Sequence, residues 1–237
     1  MIKRALFITL EGGEGSGKST QAKLLAQRLT GAGREVALTQ EPAGTPLGVL
    51  VKGVFERLAH PSARPEASKG GRRDSRVGPP ITLRAELFLF AAARADHVRT
   101  VVLPSLDSGH IVVCDRFADS TVAYQGHGRR LPLEEIATLN RIATQDLSPD
   151  LTLLLDLPPE VGIARANATH ETGDKQRDAL GEETLDFHRR VRRGFLAIAR
   201  EEPERVVVID ATQPEASVTE AIWSEVQQRL TQNKISN

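Results

Sequence analysis

From Glu11 to Thr20 the chain reads Glu-Gly-Gly-Glu-Gly-Ser-Gly-Lys-Ser-Thr. This fits G-x-x-x-x-G-K-[ST], the pattern of a loop that cradles phosphates. Residues 5–10, Ala-Leu-Phe-Ile-Thr-Leu, read as a short buried strand, and residues 19–29 read as a helix. A phosphate loop needs that strand–loop–helix order. Glycines at 12, 13, 15 and 17 let the backbone curl with its N–H groups inward. The helix N-terminus behind them adds a dipole that favours anions. Lys18 is placed to reach the β- and γ-phosphates of a nucleotide, and the Ser19 hydroxyl to ligate magnesium. The nucleotide-binding segment is therefore Gly12, Gly13, Glu14, Gly15, Ser16, Gly17, Lys18, Ser19 and Thr20.

The rest of the chain has to supply a sheet for that loop. Four further apolar runs, at 35–39, 110–114, 151–156 and 205–210, are rich in Val, Ile and Leu. Continuous apolar runs suit strands covered on both faces. Helical patterns lie between them, at 46–59, 83–107, 133–146, 158–168, 183–201 and 214–230. The expected fold is α/β, a doubly wound five-stranded parallel sheet flanked by helices. Ligands in such sheets bind beyond the carboxyl ends of the strands.

At 237 residues the chain suits one domain, 1–237, with a full core. Formal net charge is zero, from 31 basic and 31 acidic residues, so no nucleic-acid or membrane partner is expected. Cys114 is the single cysteine, which excludes a disulfide framework within the chain and suits a reducing compartment. Met1-Ile2-Lys3-Arg4 leads straight into the first strand with no signal-peptide pattern. No apolar run is long enough to span a bilayer, and a cytoplasmic location is expected. Residues 60–80 break the alternation, with four prolines and a basic run at Lys69, Arg72, Arg73 and Arg76. They read as a mobile insertion, dispensable for chemistry. The six histidines lack a metal-ligand spacing and read as ordinary polar residues; Cys114 and Trp223 read as apolar filler.

A second chemical motif ends the strand at 110–114. Asp115 follows the apolar run His-Ile-Val-Val-Cys, as a carboxylate that holds magnesium directly or through water does. Arg116 comes next, and a guanidinium can fork onto phosphate oxygens.

From this point the chain resembles a known family. Asp115-Arg116-Phe117-Ala118-Asp119-Ser120-Thr121-Val122-Ala123-Tyr124-Gln125-Gly126 is similar to the D-R-[YF]-x-x-S-[ST]-x-A-Y-Q-G signature of thymidylate kinases. Thr39-Gln40-Glu41-Pro42-Ala43-Gly44-Thr45 resembles their T-R-E-P-G-G-T segment, and residues 85–94 resemble their acceptor-site helix. Pro149-Asp150-Leu151-Thr152 and Ile209-Asp210-Ala211-Thr212-Gln213-Pro214 resemble further segments, in order along the chain.

The resemblance implies ATP-dependent conversion of dTMP to dTDP with magnesium, by a homodimer. It makes Arg116 a clamp on the acceptor phosphate, with Glu41 and Pro42 walling the acceptor pocket. Glu86, Phe90 and Arg94 recur every four residues and share one helix face. That spacing alone also fits ordinary core packing; the resemblance implies that Phe90 stacks on thymine and Arg94 donates to a base carbonyl. It places Tyr124, in a loop, against the deoxyribose, Thr121 and Gln125 near the base, and Glu14 near the sugar 3′-hydroxyl or a metal-bound water. Two departures stand out: Gln40 replaces the family's Arg, and Ala43 its first glycine, which implies a negative φ. The lid the resemblance implies is 167–182, carrying Lys175 and Arg177 with Arg165 just before it; alignment on Asp186-Phe187 puts Ala179 where the family has its Arg, and Arg177 is taken as the cation over the transferred phosphoryl group. Another nucleotide kinase, or a GTP-binding switch, are the competing readings; the chain lacks the Asn-Lys-x-Asp of the latter.

Overall fold

The strand that precedes the phosphate loop is the middle of the sheet. In the computed structural model, which describes residues 5–59, 81–171 and 183–235, β1 (Phe7–Gly12) is buried along its whole length. It pairs in parallel with β3 (Ile111–Asp115) on one side and β4 (Leu151–Asp156) on the other. Outside these lie β2 (Val36–Gln40) and β5 (Val206–Asp210), giving the order β2-β3-β1-β4-β5 with every pairing parallel. The five expected strands are thus present; the chain runs from β1 to β2 on one side, and from β3 back across β1 to β4 on the other. Sites form where strand order reverses in this way, and the phosphate loop opens there.

Strand alternation decides what each face carries. Ile8 and Leu10 point to a layer formed by α1 (Lys18–Gly31) and α9 (Glu215–Ile235), through Leu25, Leu29, Ile222 and Val226. Phe7 points the other way and meets Phe117 edge-on, with ring centroids 4.9 Å apart. Val98, Val102 and Leu106 complete that layer. Thr9 and Thr152 on the same face share a hydrogen bond of 2.8 Å. The edge strands differ from the expectation of double coverage: Leu38 of β2 and Val208 of β5 are each 46% exposed. An outer strand has a neighbour on one side only.

The helices match their expected positions, with two departures. The stretch read as one helix over 83–107 is α3 (Leu83–His97), a π-helical turn (Val98–Val102), then α4 (Leu103–Asp107). Pro104 has no N–H to donate, and the wider turn before it absorbs the break. The second departure corrects the loop expected around Tyr124. Residues after Phe117 wind into α5 (Ala118–Thr121) and a π-helical segment (Val122–Gly128). Gly126, Gly128 and the β-branched Thr121 and Val122 hide the helix from a propensity reading. Packing overrides propensity here: a Cβ on Gly126 would lie 2.6 Å from Leu133, and one on Gly128 2.7 Å from Phe187. Leu133 begins α6 (Leu133–Thr144), and Phe187 lies on α8 (Leu185–Glu201).

The remaining helices are α2 (Pro46–Ala59) and α7 (Pro159–Glu171). Residues 60–80 and most of the 167–182 lid, with Arg177, lie outside the described residues. Among the described residues no helix is long and apolar enough to cross a membrane.

The phosphate loop is braced by backbone-to-backbone contact with α7. Gly15 has φ +63°, and a Cβ there would lie 2.0 Å from the Gly162 carbonyl oxygen. A Cβ on Gly162 would lie 2.2 Å from the Glu14 carbonyl oxygen. Gly162→Ala should therefore destabilise the fold by roughly 1–3 kcal/mol, as overpacking does. Gly31→Ala, whose new Cβ meets nothing within 4 Å, should be neutral or gain under about 1 kcal/mol. Urea denaturation of both variants measures the difference.

Candidate active site

The phosphate loop takes the conformation that its glycines allow. Gly12, Gly15 and Gly17 have φ of 146°, 63° and 87°, and Gly17 caps the N-terminus of α1. Lys18 is buried, its Nζ donating to the Gly13 carbonyl at 2.6 Å and to Ser16 Oγ at 3.1 Å. The residues from Glu14 to Thr20 line a large open cleft, with Thr212 and Gln213 on its far rim. Arg165, on α7, donates to the Ala211 carbonyl at 2.7 Å and that of Thr212 at 3.3 Å. It braces the rim rather than reaching over the loop.

Ser19 and Asp115 meet across the strand ends. Ser19 Oγ donates to Asp115 Oδ2 at 2.5 Å. Asp115 Oδ1 is buried with no hydrogen-bond partner. A buried carboxylate oxygen with spare lone pairs beside a hydroxyl is the donor chemistry of a hard divalent cation, so the two residues fit the magnesium expected there.

A second cleft adjoins the first. Of the acceptor-side residues named from the sequence, Glu41, Pro42, Phe90, Arg94, Arg116, Thr121, Tyr124 and Gln125 line it, whereas Glu14 lines the phosphate-loop cleft. Glu41, Pro42, Arg116 and Lys52 border both clefts. Lys52, on α2, carries no motif and was not expected. Phe90 stacks on Phe55 with centroids 4.7 Å apart and planes 8° apart, which offers a flat apolar wall. The Glu41-Pro42 peptide is cis, and Ala43 is not among the described residues with positive φ. Gln40, in place of Arg, is exposed at the cleft rim.

Beneath the second cleft lies a buried polar network. Arg94 Nε and Nη2 both reach Glu41 Oε2 at 2.8 Å. Its Nη1 donates to Thr121 Oγ1 at 2.9 Å and Asn140 Oδ1 at 2.8 Å, and Nη2 to the Phe117 carbonyl at 3.0 Å. Four guanidinium N–H groups therefore donate to protein, and Nη2 is also ion-paired with Glu41. His97, expected to be an ordinary polar residue, is fully buried and sits between Thr39 Oγ1 at 2.7 Å and Glu41 Oε1 at 3.1 Å. A Cβ on Gly44 would lie 2.6 Å from the His97 ring, so the imidazole also supports the turn after β2. Glu86 accepts Gln125 Nε2 at 2.8 Å and Arg129 Nε at 3.2 Å. Neither His97 nor Asn140 carries a sequence signal for these contacts, because their partners are distant in the chain.

Arg116 stands where the clefts join. Its backbone is left-handed, with φ 69°. Nη1 donates to the Gly12 carbonyl and to Ser120 Oγ, each at 3.3 Å, and the guanidinium lies 5.1 Å from the centre of the Tyr124 ring. Tyr124 is buried on the helical segment, against Phe187 and Phe195. Near it Arg205 forks onto Asp119 at 2.7 and 3.0 Å. The Cys114 thiol is pushed well above its usual range by burial, then by the charge of Glu41, so it stays neutral.

The Glu41–Arg94 pair is buried on both sides, so removing one charge leaves the other without compensation. Glu41→Gln should lower the unfolding free energy by about 3 kcal/mol, seen as a lower denaturant midpoint with an unchanged slope.

Phosphate loop, hard-cation pair and base-sized cleft describe a phosphoryl-transfer enzyme, and comparison with known proteins gives the same family. The thymidylate kinase family model matches residues 10–69 and 72–222. A thymidylate kinase of Synechococcus sp. is 50% identical over 225 residues, covering 95% of this chain and 96% of that protein. That of Thermomicrobium roseum is 46% identical, covering 93% of each. The solved thymidylate kinase structure from Ehrlichia chaffeensis matches with a TM-score of 0.68 at 31% identity, over 94% of this chain and 98% of that one. Matches of this extent and identity place the chain in the thymidylate kinase family.

Proposed function

We propose that the chain transfers the γ-phosphoryl group of ATP to dTMP, giving ADP and dTDP. The observation that carries this reading is the position of Arg116 on the wall shared by the phosphate-loop cleft and the base-sized cleft. A phosphate oxygen of dTMP is the nucleophile, so no strong general base is required. What the site has to do is align two polyanions and neutralise them.

Each residue then has a task. Backbone N–H groups of Gly12–Thr20 and the Lys18 ammonium bind the phosphates of ATP. Arg116 forks onto the dTMP phosphate and holds it in line, with Lys52 as a second cation at the same border. Ser19 and Asp115 would hold magnesium, which supplies positive charge to the transferring phosphoryl group. Phe90 lies under the thymine ring, its other face backed by Phe55. The Glu86 carboxylate fixes the Gln125 amide with its NH₂ turned inward, which leaves Oε1 to accept the thymine N3–H. Thr121 and Arg94 complete the base edge, Arg94 by sharing an N–H already bonded to protein. Tyr124 packs against the deoxyribose and crowds a 2′-hydroxyl, and Glu14 sits at the sugar side of the phosphate loop. The 167–182 lid brings Arg177 over the developing charge.

The working unit we propose is a cytoplasmic homodimer. Val49 and Leu50 of α2 and Phe88 of α3 are large, apolar and more than half exposed on two helices packed together. A second copy covering that face would remove them from water. Phe88→Glu should convert the dimer to monomer in light scattering; an unchanged mass would move the interface elsewhere.

A coupled ADP-release assay over dTMP, dUMP, CMP, AMP and GMP tests the reaction. Turnover should be fastest with dTMP, and a preference for CMP, AMP or GMP would refute the assignment. Lys18→Ala and Arg116→Ala should each reduce kcat/KM on the order of a thousandfold or more while the fold persists, since each removes a cation aligned with phosphate. Phe90→Ala should raise the KM for dTMP about tenfold and leave that for ATP unchanged. Normal dTMP kinetics with weakened ATP binding would put the acceptor on the wrong cleft.

A further inference from the structure

Below the Arg116 clamp lies a carboxylate that the transfer chemistry above leaves without a task. Glu11, near the end of β1, is fully buried. Its Oε1 accepts the Phe117 N–H at 2.7 Å and the Ser120 N–H at 3.2 Å, and Oε2 accepts the Ser120 hydroxyl at 2.6 Å. Ser120 Oγ in turn accepts Arg116 Nη1 at 3.3 Å. The same nitrogen reaches the carbonyl of Gly12, the residue after Glu11. The left-handed backbone of Arg116 persists only where its surroundings over-determine it. These contacts, with the Arg116 N–H on the Leu10 carbonyl at 3.0 Å, supply that determination.

We propose that Glu11 is a positioning residue for phosphoryl transfer: its ionised carboxylate, acting through Ser120, aims the Arg116 guanidinium and ties the acceptor segment to the phosphate loop. The proposal rests on the reading of Arg116 as the acceptor clamp. An ionised carboxylate only accepts, so the single Ser120 hydroxyl proton goes to Glu11 and the Oγ lone pairs face Arg116. A protonated Glu11, or a glutamine in its place, can donate to Ser120 Oγ and competes with Arg116 for it.

The charges around Glu11 are few and accounted for. Asp119 of α5 is paired with Arg205 just before β5, and Arg192 of α8 with Asp156. Burial holds the His188 imidazole of α8 below its usual range, the Cys114 thiol of β3 is neutral, and Lys18 of α1 is turned to Gly13 and Ser16. Asp115 of β3 faces Ser19, and Arg116 is the cation nearest the relay. Burial first, then the charge of Asp119, push the Glu11 carboxyl up from 4.5 to about 7. A carboxyl raised on folding contributes stability that is complete below pH 4.5 and lost as pH rises through about 7. Keeping Glu11 ionised above pH 7 therefore works against folding, and a purely structural carboxylate would gain nothing from it.

The test compares dTMP phosphorylation and melting temperature in wild type, Glu11→Gln, Ser120→Ala, Arg116→Lys and the double variant Glu11→Gln/Arg116→Lys. Near pH 8.5, Glu11→Gln should lower kcat about tenfold with the ATP KM unchanged, the loss of one charge-assisted contact, and melt no lower than wild type. Towards about pH 5.5 the wild-type advantage should shrink to near one, because wild-type Glu11 is then itself protonated. Ser120→Ala should show a similar loss, and Glu11→Gln should add none in the Arg116→Lys background. Equal kcat near pH 8.5, an advantage that does not change with pH, or a full additional loss on top of Arg116→Lys would overturn the proposal. If Glu11→Gln does not fold, Ser120→Ala decides: wild-type turnover there overturns it. Wild-type kinetics in Arg116→Lys would instead defeat the clamp reading, a separate failure.

Discussion

The acceptor side of this molecule depends on one buried ion pair. Glu41 arrives at the end of β2 and Arg94 from the middle of α3, and water is nearly excluded from both. Neither charge is tolerable there alone. Each is therefore surrounded by groups that cannot be moved cheaply: Thr121 and the Phe117 carbonyl from the segment after β3, Asn140 from α6, and His97 from the end of α3. Four parts of the chain that share no local sequence relation are fixed to one another by satisfying this pair. The cleft above it is consequently built before any nucleotide arrives, and its polar floor is already hydrogen-bonded.

The donor side is organised by close backbone approach instead. Gly12, Gly15 and Gly162 let the phosphate loop, β4 and α7 come nearer than any side chain would permit. Lys18, Arg116 and Lys52 then stand around the junction of the two clefts. Cations at the border of the two clefts would draw the phosphates of both substrates together, and the reaction follows from geometry more than from acid–base chemistry.

Some of this was legible in the sequence and some was not, for identifiable reasons. Strands β1, β3 and β4 announce themselves because a strand covered on both faces must be continuously apolar. The phosphate loop is legible because only glycine permits its backbone. The edge strands also read as apolar runs yet leave Leu38 and Val208 half exposed, since composition does not record which strand lies outermost. The helical segment with Tyr124 and Gln125 was hidden by Gly126 and Gly128, which are there to admit Leu133 and Phe187. Phe90, Arg94, Tyr124 and Gln125 could be named only through family resemblance; spacing alone fits ordinary core as well. His97, Asn140 and Glu11 were missed as participants because their partners lie tens of residues away, and no local pattern encodes a contact of that kind.

Two preformed clefts meet at Arg116, and the proposed reaction puts a nucleotide in each. A crystal structure with dTMP, magnesium and an unreactive ATP analogue tests this most directly. The predicted result has thymine on Phe90, the dTMP phosphate forked by Arg116, the ATP phosphates within Gly12–Thr20, and the Glu41–Arg94 pair intact. A dTMP phosphate held away from Arg116, or a base bound outside the Phe55–Phe90 wall, would contradict it.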